Sequence, residues 1–145
     1  MAALRETTSR IGAIAGAWSP DDFERTYAPG KWSARQVLIH LAQTELALGA
    51  RARMALTTPN YAAQSFNQDE WIARDASLSG RAALDAFLAL AAMNLAMFDA
   101  LTPAERETTL SHPEYGALSV DWILHQMAGH QIHHRKQLEA IAARG

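Results

Sequence analysis

Apolar positions recur along most of this chain at three- and four-residue steps, the period of helices with one buried face. Ala3 to Trp18 reads as a first helix, closed by the breaker Ser19-Pro20. A polar connection follows, Asp21 to Lys31, with the turn dipeptide Pro29-Gly30. Ser33 opens a second helix, and Gln36 three residues on gives the spacing of a capping box. Val37, Leu38, Leu41, Ala42, Leu48 and Ala52 supply its apolar face, and the run lasts to about Leu56. Thr57 to Ser77 is mixed, with a turn at Pro59-Asn60 and a short helical piece over Asp69 to Arg74. After Ser79 comes RAALDAFLALAAMNLAMFDAL, rich in strong helix formers and stopped near Thr102-Pro103. A second long connection, Ala104 to Leu118, leads to Ser119, which can cap a final helix carrying Asp121 in its first turn. No alternating run is long enough for a strand. The pattern therefore predicts an all-α protein, a four-helix bundle whose two long connections act as crossovers.

Composition narrows this picture without changing it. The 145 residues fit one domain, 1–145, long enough to bury a core without staples, and apolar residues make up 49% of them. A net charge of −2 offers nothing to recruit nucleic acid or an anionic membrane. The first residues carry Arg5, Glu6 and Arg10 and lack the apolar centre of a signal peptide, and no uninterrupted apolar run has the length of a membrane span. A cytoplasmic location is the expectation. There is no cysteine, so any metal must be held by imidazole, carboxylate or carbonyl groups.

The histidines are where chemistry concentrates. Five of six lie in the last 34 residues, three of them in HQIHH. His130 and His134 stand four apart on a helix, only ~40° apart round its axis, and can grip one ion from adjacent turns. The device is that of HExxH zinc helices, but Gln131 stands where that motif has its glutamate base, so this is not a metalloprotease signature. A third ligand is expected, and His40 is the best candidate: it lies among apolar residues in RQVLIHLAQ, and a buried imidazole needs a partner. Gln36, Gln43 and Thr44 share its face, as Gln126 and Gln137 flank the His130/His134 pair. Two such polar seams facing each other would hold a wet pocket with a metal at its centre.

The remaining candidates have plainer readings. His133 suits a supporting or surface contact, His125 packing or interhelix bonding, and His112 a cap or an entrance. Trp32, Trp71 and Trp122 read as core anchors, Met93 and Met97 as core filling, and Arg51, Arg53, Arg135 and Lys136 as solvated faces. Glu45 and Asp69 are possible acid–base groups without an assigned place. Nucleotide-binding and serine-hydrolase motifs are absent.

The segments KWSARQVLIHLAQTE, FNQDEW, HPEYG and GHQIHHRKQLEAI together resemble the DinB/YfiT-like superfamily of four-helix-bundle proteins, from about residue 20 to residue 141. The most specific parts are WS-x(6)-HL and the closing H-x2-HH-x2-Q. The resemblance implies an up-down-down-up bundle, with His40, His130 and His134 holding zinc, nickel or a similar divalent ion. It also implies a homodimer. Some relatives are transferases or isomerases that use a low-molecular-weight thiol such as mycothiol, bacillithiol or glutathione. The expected function is thus a metal-dependent enzyme, a thiol-dependent transferase, isomerase or hydrolase acting on a small molecule. The alternatives are a non-catalytic metal-containing binding or stress-response module, or an ion that merely ties helices together.

Overall fold

The structure, a computed structural model, describes residues 1–145. Four long helices are present: α1 (Ala2–Ala15), α2 (Ala34–Thr57), α4 (Gly80–Ala100) and α6 (Val120–Arg144). Two short ones accompany them, α3 (Gln68–Arg74) and α5 (Pro103–Arg106). The predicted starts are physically the caps found. The Ser33 hydroxyl accepts from Gln36 N while the Gln36 side chain accepts from Ser33 N, and Ser79 and Ser119 cap α4 and α6 by accepting from Ala82 N and Trp122 N. Helix α1 stops at Ala15, earlier than Trp18, because Gly16 and the turn before Pro20 leave nothing to propagate it.

The first two long helices, although consecutive in the chain, are not neighbours in space. Both α1 and α2 pack against α4 and α6, which puts α1 and α2 at opposite corners of the bundle. Thr8 meets Gln131 and Arg10 meets Glu139, so α1 and α6 run the same way. Further along, Asn94 of α4 meets Glu45 and Arg53 of α2, while Phe87 and Ala91 share a core cluster with Leu38 and Ala42, so α2 and α4 also run the same way. Pairing His40 with His130 makes α2 and α6 antiparallel, since Arg51 shares a cavity with Trp122. The result is the expected up-down-down-up order.

The core is two apolar clusters with a polar layer between them. Leu4, Leu48, Leu95 and Met127 belong to one cluster, and Ile11, Ala42, Ala91 and Leu138 to the other. Between those positions, one per long helix, stand Thr8, Glu45, Asn94 and Gln131, all buried. Glu45 accepts from Gln131 Nε2 at 2.6 Å and from Asn94 Nδ2 at 2.7 Å; Thr8 Oγ1 donates to Gln131 Oε1 at 2.9 Å. Arg53 closes the layer on Asn94 Oδ1 at 2.8 Å. Asn94 reaches α2 only because Gly49 lacks a Cβ, which would lie 2.3 Å from Asn94 Oδ1. Glu45 is therefore not an available acid or base at a site.

Two expectations are corrected by the fold. A two-stranded antiparallel hairpin, β1 (Thr109–His112) and β2 (Gly116–Ser119), occupies the second connection, where no strand was predicted. Four residues per strand are too few to show an alternating pattern, and Gly116 at φ 72° is the turn signal that supports it. Ala63 N donates to Ser111 O and Ser111 N to Tyr61 O, so the first long loop lies along the hairpin's edge. Met93 turns outward, 53% exposed, rather than filling the core. Helix α4 is long and apolar enough by composition to cross a membrane, but Leu84, Phe87, Leu95 and Phe98 are spent on the bundle interior.

Candidate metal centre

Helix α2 presents His40 from its second turn, and α6 presents His130 and His134 from adjacent turns; the three rings meet. Their ligand nitrogens all lie within 4.8 Å of one another, and His40 Nε2 stands 2.8 Å from His130 Nε2. His40 is 4% and His134 5% exposed, and His130 is half-buried. Burial holds His40 down to about 4 and His130 down to about 2, and the neighbouring rings push the same way. His134 is also lowered, chiefly by burial, against an opposing hydrogen bond to Gln137. All three rings are thus neutral at physiological pH, the form that binds a cation.

Gln137 fixes which nitrogen is offered. Its Oε1 accepts the Nδ1 proton of His134 at 2.7 Å, leaving Nε2 bare, and its own Nε2 donates to Tyr27 Oη at 3.2 Å. This is the outer support that metal-binding imidazoles generally have. Trp32 lies against the cluster, 5.0 Å from the His40 ring and stacked at 6.2 Å on His134. His40 Nδ1 is buried without any partner. Neutral imidazoles crowded nitrogen to nitrogen, one with an orphaned atom, are poorly satisfied by protein alone. The donor set fits a divalent ion that favours imidazole.

A cavity of about 370 Å³ opens over this centre, lined by Tyr27, Lys31, Trp32, Gln68, His133 and Gln137 besides the three histidines. The Pro29-Gly30 turn, with Gly30 at φ 73°, folds residues 26–33 back on themselves and brings Tyr27 and Trp32 over the site. A second cavity of about 200 Å³ adjoins it through His40, Gln68 and His130.

Several residues take different places from those expected. Trp32 and Trp122 pack on the core clusters as expected but also line the two cavities, and Trp71 packs on Phe66, ring centroids 4.3 Å apart. Arg51, read as a solvated face, reaches into the second cavity. Of the polar seams, Thr44, Gln126 and Gln137 do line the site, but Gln36 is used by its cap, and Gln43 ties α2 to α3 through Trp71 O and Asp75 Oδ2. Gln131 turns inward to Glu45. Asp69 is exposed in the first turn of α3, outside both cavities. His125 bonds Asp121 within its own helix and is exposed rather than packed between helices. Tyr27 and Lys31, in a loop, and Gln68, the first residue of the short α3, were missed, because loops and single turns carry no periodic signal.

A family model described as the DinB superfamily matches residues 3–138. The chain belongs to the DinB superfamily. A protein of Oceanobacillus iheyensis, provisionally named a metal-dependent hydrolase, is 27% identical over 125 residues, 86% of this chain and 73% of that one. Among solved structures, YfiT of Bacillus subtilis, described as "a probable metal-dependent hydrolase with an unusual four-helix bundle topology", is 20% identical. It superposes with a TM-score of 0.86 over 98% of this chain and 83% of its own. A mycothiol-dependent maleylpyruvate isomerase is 16% identical with a TM-score of 0.79, covering 94% of this chain, which spans only 58% of that enzyme. These likenesses establish the DinB-superfamily fold.

The three histidines also set the pH response of the metal-free protein. An unfolded histidine takes its proton near pH 6.5, whereas the folded His40 waits until about 4 and His130 until about 2. Above 6.5 both states are neutral and stability is complete; as pH falls below 6.5 the unfolded chain binds protons the folded one refuses. Stability is lost with falling pH at about 3 kcal/mol per unit while His40 and His130 resist protonation, and His134 acts in the same direction. Urea midpoints measured from pH 7.5 to 5 should fall steeply, and saturating zinc should shift the fall to lower pH.

Proposed function

We propose that this protein is a metal-dependent enzyme in which His40, His130 and His134 hold one divalent ion and a small-molecule thiol serves as nucleophile in a transfer or isomerisation reaction. The observation that carries the reading is the convergence of three neutral imidazoles at the floor of an open cavity. Three nitrogen ligands are the number found in catalytic zinc sites with an open position, rather than in closed structural ones. When bound, such an ion lowers the pKa of a water or thiol brought to it and polarises a substrate oxygen.

The protein's own groups then bind and orient. Tyr27 and Gln137 hold His134 in one tautomer, and Trp32 shields one side of the rings from water. Lys31 and His133 stand at the cavity rim, where a cation and an imidazole suit an anionic sulfur. Neither cavity is lined by an aspartate or glutamate. With no carboxylate base at hand, a thiol, whose unperturbed pKa near 8.5 is far below that of water, is the easier nucleophile. The chain has no cysteine, so the sulfur must arrive with a cofactor such as mycothiol, bacillithiol or glutathione. The names of the relatives given above agree with metal-dependent hydrolysis or thiol chemistry at such a site.

The test is a rate measurement on zinc- and nickel-loaded protein, with an aryl halide plus each thiol, and with an activated ester and no thiol. Metal-dependent thiol transfer that falls to the metal-free background in His134→Ala supports the proposal. Ester hydrolysis without thiol would replace the thiol by water. Rates indifferent to metal or to His134→Ala would overturn the enzyme reading.

A further inference from the structure

The cavity adjoining the histidines has a floor written into α2 at helical spacing: His40, Thr44, Leu48 and Arg51 succeed one another on a single face. Opposite it, Trp122, Gln126 and His130 repeat every four residues on α6. The groove between these stripes runs from the candidate metal centre to a guanidinium.

Arg51 takes part in none of the ion pairs of this structure. One Nη donates to the Gln64 carbonyl, and the guanidinium lies over the Phe66 ring, 5.7 Å from its centroid. An arginine has five donors, so most of its fork is left for the cavity. Burial lowers its pKa, the sign of a partly desolvated cation. Glu114 is the carboxylate whose charge it feels, but Glu114 accepts from Ser65 Oγ and stands beyond ion-pair distance.

Two further groups on the cavity wall can donate. The Thr44 hydroxyl, on a residue only 7% exposed, has no hydrogen-bond partner. His112 Nδ1 accepts from Glu114 N, which puts the ring proton of the neutral imidazole on Nε2. The rest of the wall is flat and apolar: Tyr115 lies 5.5 Å from Trp122, and Phe66 faces the same space. A cavity of 150 Å³ suffices for benzene, so about 200 Å³ takes one ring with a short acidic arm.

We propose that this cavity is the substrate subsite, and that it selects a small organic carboxylate with a planar apolar body. The carboxylate sits on Arg51, with His112 and Thr44 as additional donors, and the body lies against Phe66 and Trp122 with its far end toward His40 and His130. Placement of that far end beside the ion rests on the function proposed above. Arg51 is then a binding residue that sets substrate class, since a fork of parallel donors matches a carboxylate as a single ammonium does not.

Metal-free protein at pH 7.5 removes the ion as a rival for the carboxylate. Phenylacetate and the uncharged 2-phenylethanol would be titrated while the Trp122 indole and Arg51 guanidinium signals are followed by NMR. Phenylacetate should move both signals and bind at least ~10-fold more tightly than the alcohol, in line with a charge-assisted pair. Arg51→Gln should erase that preference with zinc affinity unchanged, and Arg51→Lys should keep part of it. Equal binding of acid and alcohol, or a preference that survives in Arg51→Gln, overturns the inference while leaving the metal centre intact. If phenylacetate binds through Arg51 but zinc binds nowhere, the subsite stands and the metal-dependent function fails.

Discussion

His130→Ala is expected to leave a folded bundle that no longer holds zinc or nickel. His130 makes the closest contacts of the trio: its Nε2 is 2.8 Å from that of His40, and its centroid is 4.4 Å from that of His134. Removing it leaves only His40 and His134, ring centroids 4.9 Å apart, as two ligands of three. Loss of a mere supporting hydrogen bond costs metal sites about 10- to 100-fold in affinity, so loss of a direct ligand should exceed ~100-fold by calorimetry. Wild-type protein at a metal concentration ~1,000 times Kd gains about 4 kcal/mol, or roughly 10 °C in melting temperature. At the same concentration the variant should keep no more than about 1.4 kcal/mol of that gain. In the metal-free state the sign reverses. Without a buried ring that refuses its proton, the variant should resist acid better than the wild type. Opposite effects with and without metal would separate loss of a ligand from general damage to the fold.

The second large effect is expected far from solvent. Glu45→Leu deletes the acceptors of Gln131 Nε2 and Asn94 Nδ2 at the middle of the bundle, where Glu45 is 2% exposed. Asn94 Nδ2 keeps the residue-45 carbonyl at 3.0 Å, but Gln131 Nε2 is left buried with nothing to bond. A stranded donor costs roughly 1–3 kcal/mol, and misplaced packing adds to it. Denaturation should show a loss of about 2–4 kcal/mol. Adding Gln131→Leu should recover most of it, because replacing both partners by apolar groups removes the unpaired donor, while Thr8 Oγ1 retains the Leu4 carbonyl. If the double variant is no more stable than the single one, the layer acts by something other than satisfied hydrogen bonds.

The residues that were legible in the sequence are those whose signal is local. Ser33 with Gln36, Ser79 and Ser119 announced helix starts because capping is decided within four residues. His130 and His134 announced a shared ligand face because four residues make about one turn. His40 could be matched to them from its apolar setting and from the family resemblance. What stayed hidden depends on contacts between distant parts of the chain. Whether Glu45 faces a cavity or a core layer is settled by Asn94 and Gln131, on other helices. Arg51 looks solvated on α2 alone and acquires a cavity only when the hairpin brings His112 and Tyr115 across it. The hairpin itself is short enough that pairing with residues 61–63, rather than its own pattern, marks it out. The His40–Thr44–Leu48–Arg51 stripe could have been read by spacing, but it mixes polar, apolar and charged types and so gives no hydrophobic period.

The diagonal placement of α1 and α2 has a consequence for how the molecule comes into being. His40 waits for partners 90 and 94 residues downstream, on α6. During synthesis α2 therefore carries a lone imidazole on a half-built face, and capture of an ion by all three rings is deferred until α6 has been made. An incoming ion would find its three ligands only on a chain that already carries α6, never on one that stops at α2.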